Sequence, residues 1–290
     1  MIFNWIKTAV LLALLSGLLL LLGSLFGGYS GLQIALVFAI IMNILTYFFS
    51  EKLVLKLYKA QPLDKSQYPY IAQTVEELAG TMDLPVPKMW IINSPMANAF
   101  ATGRNPKHAS VAVTSGIVDI LDKNELRGVL AHELAHIKNR DILISTIAAT
   151  IATAIGYMAH MLRYAAFWGS ISGGSRRRGG NPFFMLFVAI LMPVAAALVQ
   201  LAISRSREFL ADETGAKHSK DPLALASALK KLHSAAAHTR NQTVNPSKAS
   251  TASLFIVHPF STKGMLSLFS THPSVHARIA RLEKMYEKMF

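Results

Sequence analysis

Val129-Leu130-Ala131-His132-Glu133-Leu134-Ala135-His136-Ile137 is the stretch that decides how this chain is read. On an α-helix, His132 and His136 are four residues apart, so their imidazoles leave one face, one turn above the other. Two neutral ring nitrogens at that spacing can grip one zinc ion at roughly 2.1 Å each. Glu133 projects about 100° further round the helix. From there it reaches a water on the metal rather than the metal itself. The pattern is H-E-x-x-H, two ligands followed by a general base. The flanks predict the helix independently. Asp122 with Glu125 resembles a capping box, and Leu126, Leu130, Leu134 and Ile137 carry an apolar stripe through the motif.

The rest of the composition points to a membrane. Of 290 residues, 52% are hydrophobic and only 16% charged, against about 25% charged in an average globular chain. The deficit falls in a few long uncharged runs, as membrane segments require. The net charge of +13 is not arranged as a Lys/Arg stripe with interleaved aromatics, so nucleic acid is not expected as a partner. A positive surface facing anionic lipid accounts for it better. The chain has no cysteine, so any metal site here is built from His and carboxylate.

Residues 1–50 are expected to form an N-terminal transmembrane hairpin. No charged residue occurs between Thr8 and Ser50, and Thr8–Phe26 and Leu32–Phe49 are each long enough to cross roughly 30 Å of hydrocarbon. The break Gly27-Gly28-Tyr29-Ser30-Gly31 turns the chain between them. Lys7 before the hairpin and Lys52, Lys56 and Lys59 after it place both ends in the cytoplasm by the positive-inside rule. Residues 142–204 are expected to form a second hydrophobic hairpin from the runs Ile142–Leu162 and Gly179–Ser204. Arg176, Arg177 and Arg178 between those runs would then lie outside, against the positive-inside trend. Full crossing and partial insertion beside the catalytic domain both remain open.

Residues 51–141 form the first part of a soluble domain. Ile71, Val75, Leu78 and Met82 mark the buried face of a helix that ends before Pro85 and Pro87. Lys88–Asn93 and Ser110–Thr114 are Val/Ile-rich and predict short strands. Between them, Asn98-Ala99-Phe100-Ala101-Thr102-Gly103 is extended and small-residued. A strand edge of this kind beside a zinc helix can take up substrate backbone as a further strand, though an ordinary edge strand or loop would read the same way.

Residues 205–290 complete the domain. In Arg205-Ser206-Arg207-Glu208-Phe209-Leu210-Ala211-Asp212, two carboxylates again share a helical face. A hydrolytic zinc takes three protein ligands and leaves one position for water, so two histidines leave the set one short. Glu208 is the candidate third ligand. Asp212, one turn on, is placed to hold the far nitrogen of a ligand histidine. Glu208 pairing with Arg205 or Arg207 on a solvated helix is the competing reading. Asp221-Pro222 predicts a helix start, with Leu225, Leu229 and Leu232 as its stripe. A last helix from about Ser274 carries Ile279, Leu282, Tyr286 and Met289 on one face. Asn241–Ser253 reads as a loop, and Leu254–Phe269 as an interrupted apolar segment of unassigned role.

The order hairpin, His-Glu-x-x-His, hairpin, Glu-x-x-x-Asp, then Thr271-His272-Pro273-Ser274 with Arg278, resembles the HtpX family of membrane-embedded zinc metalloproteases. That family is related to the endoprotease that trims CAAX-type prenylated proteins. Ser274 departs from it, standing where relatives often have a second Pro. The resemblance implies a mainly α integral membrane protein of about four transmembrane helices, with a small β-sheet in a gluzincin-like zinc-peptidase domain. It implies one Zn2+ per chain on His132, His136 and Glu208, Glu133 as base, and His272 and Arg278 near the scissile carbonyl. Asn98, Ala99, Phe100 and Ala101 would belong to the substrate-pairing strand. The implied activity is endoproteolysis of misfolded or damaged membrane proteins at the cytoplasmic side of a bacterial inner membrane. Its partners are then the lipid bilayer and unfolded or membrane-protein substrates. A processing protease for one motif, such as a lipidated C-terminus, is the alternative enzyme, and a non-catalytic scaffold stabilised by zinc is the alternative from another class.

Overall fold

The structure, a computed structural model, describes residues 2–148, 150–151, 205–239, 256 and 273–289. Most of the expected second hairpin, the loop 241–253, the segment 254–269 apart from Ile256, and His272 lie outside the described residues.

Helix α1, Ile2–Leu57, is two antiparallel arms rather than one rod. At Gly28 the backbone leaves helical geometry at φ 55° and ψ −139°, a left-handed conformation that glycine adopts without steric cost. Beyond the turn the arms touch at Gly23 and Gly31, where a β-carbon on either would meet the other's backbone. Further down, the Asn43 side-chain amide donates to Ser16 Oγ at 2.9 Å. The second arm, Gly27–Leu57, is long and apolar enough to cross a bilayer, and only 11% of its most apolar window is buried in protein. Ile34, Val37, Phe38, Ile41 and Phe48 are exposed along it, a continuous apolar surface that suits lipid rather than water. Among the described residues this is the one helix that meets the criterion, against the about four spans expected.

The second arm does not stop at the expected boundary, residue 50. It continues to Leu57 and enters the peptidase domain. Val54 and Leu55 pack with Ile92, Phe100 and Ala112 on one face of a four-stranded sheet. Ser110 Oγ donates to Glu51 Oε1 at 2.7 Å and accepts from Trp90 Nε1 at 3.0 Å. The apolar arm and the sheet are therefore welded together at the arm's end.

The sheet comprises β1 (Gln61–Pro62), β2 (Lys88–Ile92), β3 (Ala99–Asn105) and β4 (His108–Thr114), in the order β1-β2-β4-β3. β2 runs parallel to β4, while β3 pairs antiparallel with β4 and forms the sheet's far edge. Neither β1 nor the parallel pairing was expected from sequence. The other face of the sheet, with Ala99, Ala101, Val111 and Val113, packs on helices α2 (Pro69–Thr81) and α4 (Lys123–Lys138). Ile71, Val75 and Leu78 of α2, and Met82 at its C-terminal cap, are all buried as expected. A short helix α3, Ser115–Ile120, capped by Thr114, joins β4 to α4.

α4 opens as the sequence predicts. Asp122 Oδ1 accepts from the Glu125 amide at 2.9 Å and Glu125 Oε2 accepts from the Asp122 amide at 2.9 Å, a complete capping box. Glu125 is buried and also accepts from Ser227 and Lys231, which ties the cap to the helix Pro222–Thr239. After Lys138 the chain reverses through Arg140 (φ 57°), and residues 142–148 are helical again. Helices α5 (Arg205–Ser219), α6 (Pro222–Thr239) and α7 (Val275–Met289) close the domain. On α7, Ile279 and Leu282 are buried as expected, but Tyr286 and Met289 are exposed. The packed stripe thus ends a turn earlier than its apolar periodicity suggests.

Candidate metal centre

Two close approaches bring the site together. A β-carbon on Gly215 of α5 would stand 2.9 Å from the His132 amide nitrogen, and one on Gly128 of α4 would stand 2.9 Å from the Leu225 amide nitrogen. Glycine at these positions lets α5 and α6 lie directly against the motif helix. Glu208 consequently arrives over the two histidines. Its Oε2 lies 3.8 Å from His132 Nε2, its Oε1 lies 3.8 Å from His136 Nε2, and the two ring nitrogens are 3.1 Å apart. A tetrahedral ion with bonds of roughly 2.1 Å separates its ligand atoms by about 3.4 Å. The three side chains match that spacing, and each offers one atom within 4.8 Å of the other two.

The far side of each imidazole carries a carboxylate. His132 Nδ1 lies 3.0 Å from Asp212 Oδ1, and His136 Nδ1 lies 3.1 Å from Asp141 Oδ1. Carboxylates accept, so each Nδ1 is the protonated nitrogen and each Nε2 turns a lone pair inwards. Two such lone pairs 3.1 Å apart repel each other unless a cation lies between them. The surrounding carboxylates favour positive charge at this point, carried by a metal or, without one, by His136 itself. Burial pulls His136 down, but Asp141, Glu208 and Glu133 outweigh it and lift it to about 10. His132 is instead held below its ordinary value, chiefly by burial and by Arg278, against the pull of Asp212. The pocket therefore accommodates positive charge beside His136, and the donor set fits a divalent metal.

Glu133 stands beside this cluster without joining it. Its Oε2 accepts from the Ala101 amide of β3 at 2.8 Å, a contact made feasible by the small residues of that strand. Burial, reinforced by Glu208, lifts Glu133 to about 7 against the opposing pull of His136 and the Ala101 amide. That is the range in which a carboxylate exchanges protons at neutral pH. Ala99, Phe100 and Ala101 lie in β3, and Asn98 directly precedes it. Asn98 is buried, and its Oδ1 accepts from the Ile256 amide at 3.2 Å.

Arg278 was expected to lie near the scissile carbonyl. The structure buries it and aims its guanidinium at Asp212, with Nε to Oδ2 at 2.8 Å and Nη2 to Oδ1 at 2.6 Å. Nη1 donates to the Ile256 carbonyl at 2.9 Å and lies 3.6 Å from Glu208 Oε2. Burial alone would raise Asp212, but Arg278 and His132 hold it down at about 2.

Asp141 went unremarked in the sequence because it lies past the helix end, where helical spacing no longer applies. Its one local signal is the turn that folds it back: its amide donates to the His136 carbonyl at 3.2 Å. Replacing Asp141 by Asn should leave the fold intact and weaken metal binding about 10- to 100-fold, by loosening the tautomer and orientation of His136. Competition with a calibrated chelator measures this.

A helix bearing His-Glu-x-x-His, completed by a glutamate from a second helix, with a base beside it and a sheet edge alongside, defines a metal-dependent peptidase. The comparisons with known proteins agree: residues 65–286 match peptidase family M48, and the chain belongs to that family. It is 50% identical to "Protease HtpX homolog" of Ralstonia pickettii over 98% of this chain and 97% of the relative. Proteins of the same description from Burkholderia thailandensis and Paraburkholderia phytofirmans are each 49% identical over the same shares. Among solved structures it is similar in fold to S. mikatae Ste24p (TM-score 0.52, 21% identity, 98% of this chain and 67% of that one). The chain is a metalloprotease, and among its described residues one helix is long and apolar enough to cross a membrane.

Proposed function

We propose that this protein is a zinc endopeptidase embedded in a bacterial inner membrane by more than one span. In this reading it hydrolyses misfolded or damaged membrane proteins from the cytoplasmic side. The observation that carries the reading is the convergence of His132, His136 and Glu208 on one point with Glu133 alongside. Two imidazoles and a carboxylate make zinc the fitting ion.

Bound there, zinc would lower the pKa of water to about 7 and polarise the scissile carbonyl. Glu133 takes the proton of the attacking water and returns it to the departing amine. With Oε2 engaged by the Ala101 amide, Oε1 is the atom assigned to carry it. Asp141 and Asp212 keep both histidines in the ligating tautomer. Arg278 grips Asp212 and also lies 3.6 Å from Glu208 Oε2 and 3.4 Å from His132 Nε2, and is assigned as a positioning residue for the ligands. β3 is the edge strand beside the site, the one to which an extended substrate would add. His272, outside the described residues, is assigned the remaining donor to the developing oxyanion. A catalytic domain fused directly to an apolar arm supports the reading that its substrates are themselves membrane proteins.

The test is metal analysis with digestion. Purified full-length protein should carry about one zinc per chain, cleave several unrelated unfolded membrane proteins, lose cleavage in a chelator and regain it with zinc. Cleavage of a single sequence only would favour a dedicated processing enzyme. Metal that stays bound with no cleavage at all would favour a scaffold.

A further inference from the structure

The amide that holds Glu133 belongs to the peptide unit between Phe100 and Ala101. That unit is planar and rigid, so its N–H follows wherever the two flanking Cα atoms are set. β3 is an edge strand with a ladder to β4 on one side only, so the packing on its two faces also fixes it. On one face, Ala99 and Ala101 rest on the core that includes α4. Phe100 points to the opposite face, as the period of two requires. There it is 2% exposed and packs with Val54, Leu55, Ile92 and Ala112. Val54 and Leu55 belong to the last turn of the apolar arm, and the Tyr58 ring just beyond them lies 5.4 Å from that of Phe100.

A second contact repeats the arrangement. Arg104, towards the other end of β3, lies over the Phe48 ring at 5.2 Å from its centroid. Phe48 and Tyr58 are ten residues apart, roughly 15 Å along a helix, and Phe100 and Arg104 are four apart, roughly 13 Å along a strand. The matched lengths mean that arm and strand run side by side in opposite directions. Three links then lead from the arm to the carboxylate: the Tyr58 ring to the Phe100 ring, Phe100 to its own peptide unit, and that unit's N–H to Glu133 Oε2 at 2.8 Å.

We propose that Phe100 is a positioning residue for Glu133, held in place by the end of the apolar arm, so that the arm aims the general base as well as anchoring the domain. In this role the Phe100 side chain serves the arm and not the substrate. The proposal rests on the reading of Glu133 as the base. Its size follows from the sensitivity of catalysis to geometry, since a misplacement of about 1 Å can cost about a hundredfold in rate.

The experiment uses the full-length, zinc-loaded protein in detergent and an internally quenched peptide taken from a casein bond that the native enzyme cuts. Phe100→Ala should lower kcat about a hundredfold, with KM and zinc content within about twofold of native. Phe100→Leu, which keeps an apolar side chain of shorter reach, should recover about tenfold of that loss. Tyr58→Leu changes a half-buried ring on the arm and should lower kcat about fivefold, so it carries the test alone if Phe100→Ala does not fold. In the Glu133→Gln background these substitutions should be silent on the residual rate, because the group they aim is gone. The proposal is overturned if Phe100→Leu and Tyr58→Leu keep native kcat, if the loss falls on KM or zinc content, or if it persists undiminished beside Glu133→Gln. Failure of the base reading itself looks different: Glu133→Gln would then be as active as the native enzyme, whatever Phe100 does.

Discussion

Glu133→Gln should retain a full complement of metal and lose about 10²- to 10⁴-fold in kcat, the contribution of a positioned acid–base group. The substitution changes little else. The amide keeps an oxygen to accept from the Ala101 amide, which the carboxylate now does at 2.8 Å, so the link between α4 and β3 survives. The ligand atoms of His132, His136 and Glu208 are untouched. What disappears is a group lifted to about 7 by burial and by Glu208, which can accept a proton from water and release it to an amine. Metal content and melting temperature should therefore match the native protein, while digestion nearly ceases. Full activity would remove Glu133 from the mechanism. Loss of metal would instead mean that the carboxylate is a ligand. Because Glu133 lies next to His132 in the chain, only the paired measurement separates these outcomes.

The metal site was legible in the sequence to the extent that helical spacing governs it. His132 to His136 and Glu208 to Asp212 are both i to i+4, and each pair does share a face. The approach of the two helices was not legible, because it depends on Gly215 and Gly128, whose role is to lack a side chain. Asp141 was missed because the chain reverses at Arg140 before the carboxylate returns to His136. In the sheet, β2 and β4 were expected as strands. Their parallel pairing was not, since it depends on β3 folding back to the outer side of β4. The last helix shows the opposite failure. Tyr286 and Met289 continue the apolar period yet stay exposed, because periodicity reports a face and not how far its neighbours extend.

Arg278→Met should destabilise the folded domain by about 3–5 kcal/mol, the cost of removing one partner from a buried ion pair. Methionine fills much the same volume, so the loss reports charge and hydrogen bonding rather than a cavity. Asp212 would remain buried with its oxygens stripped of the two guanidinium bonds at 2.6 and 2.8 Å, and the Ile256 carbonyl would lose its donor. Asp212 also holds Nδ1 of His132, so the disturbance reaches a ligand in one step and metal affinity should fall with stability. Removing the orphaned charge as well, in Arg278→Met with Asp212→Asn, should recover part of the stability and give a clear coupling energy between the sites. Arg278→Lys should recover less than the native fork, because an ammonium cannot bind both oxygens in one plane. The decisive comparison is the single variant at saturating zinc. If Arg278 acts through Asp212, the reloaded enzyme should turn over within about tenfold of native. If it instead donates to the scissile carbonyl, turnover should stay about 10²- to 10³-fold down even when every site is filled. Measured stability would separate the two as well, since an arginine directed into open space has no buried partner to abandon.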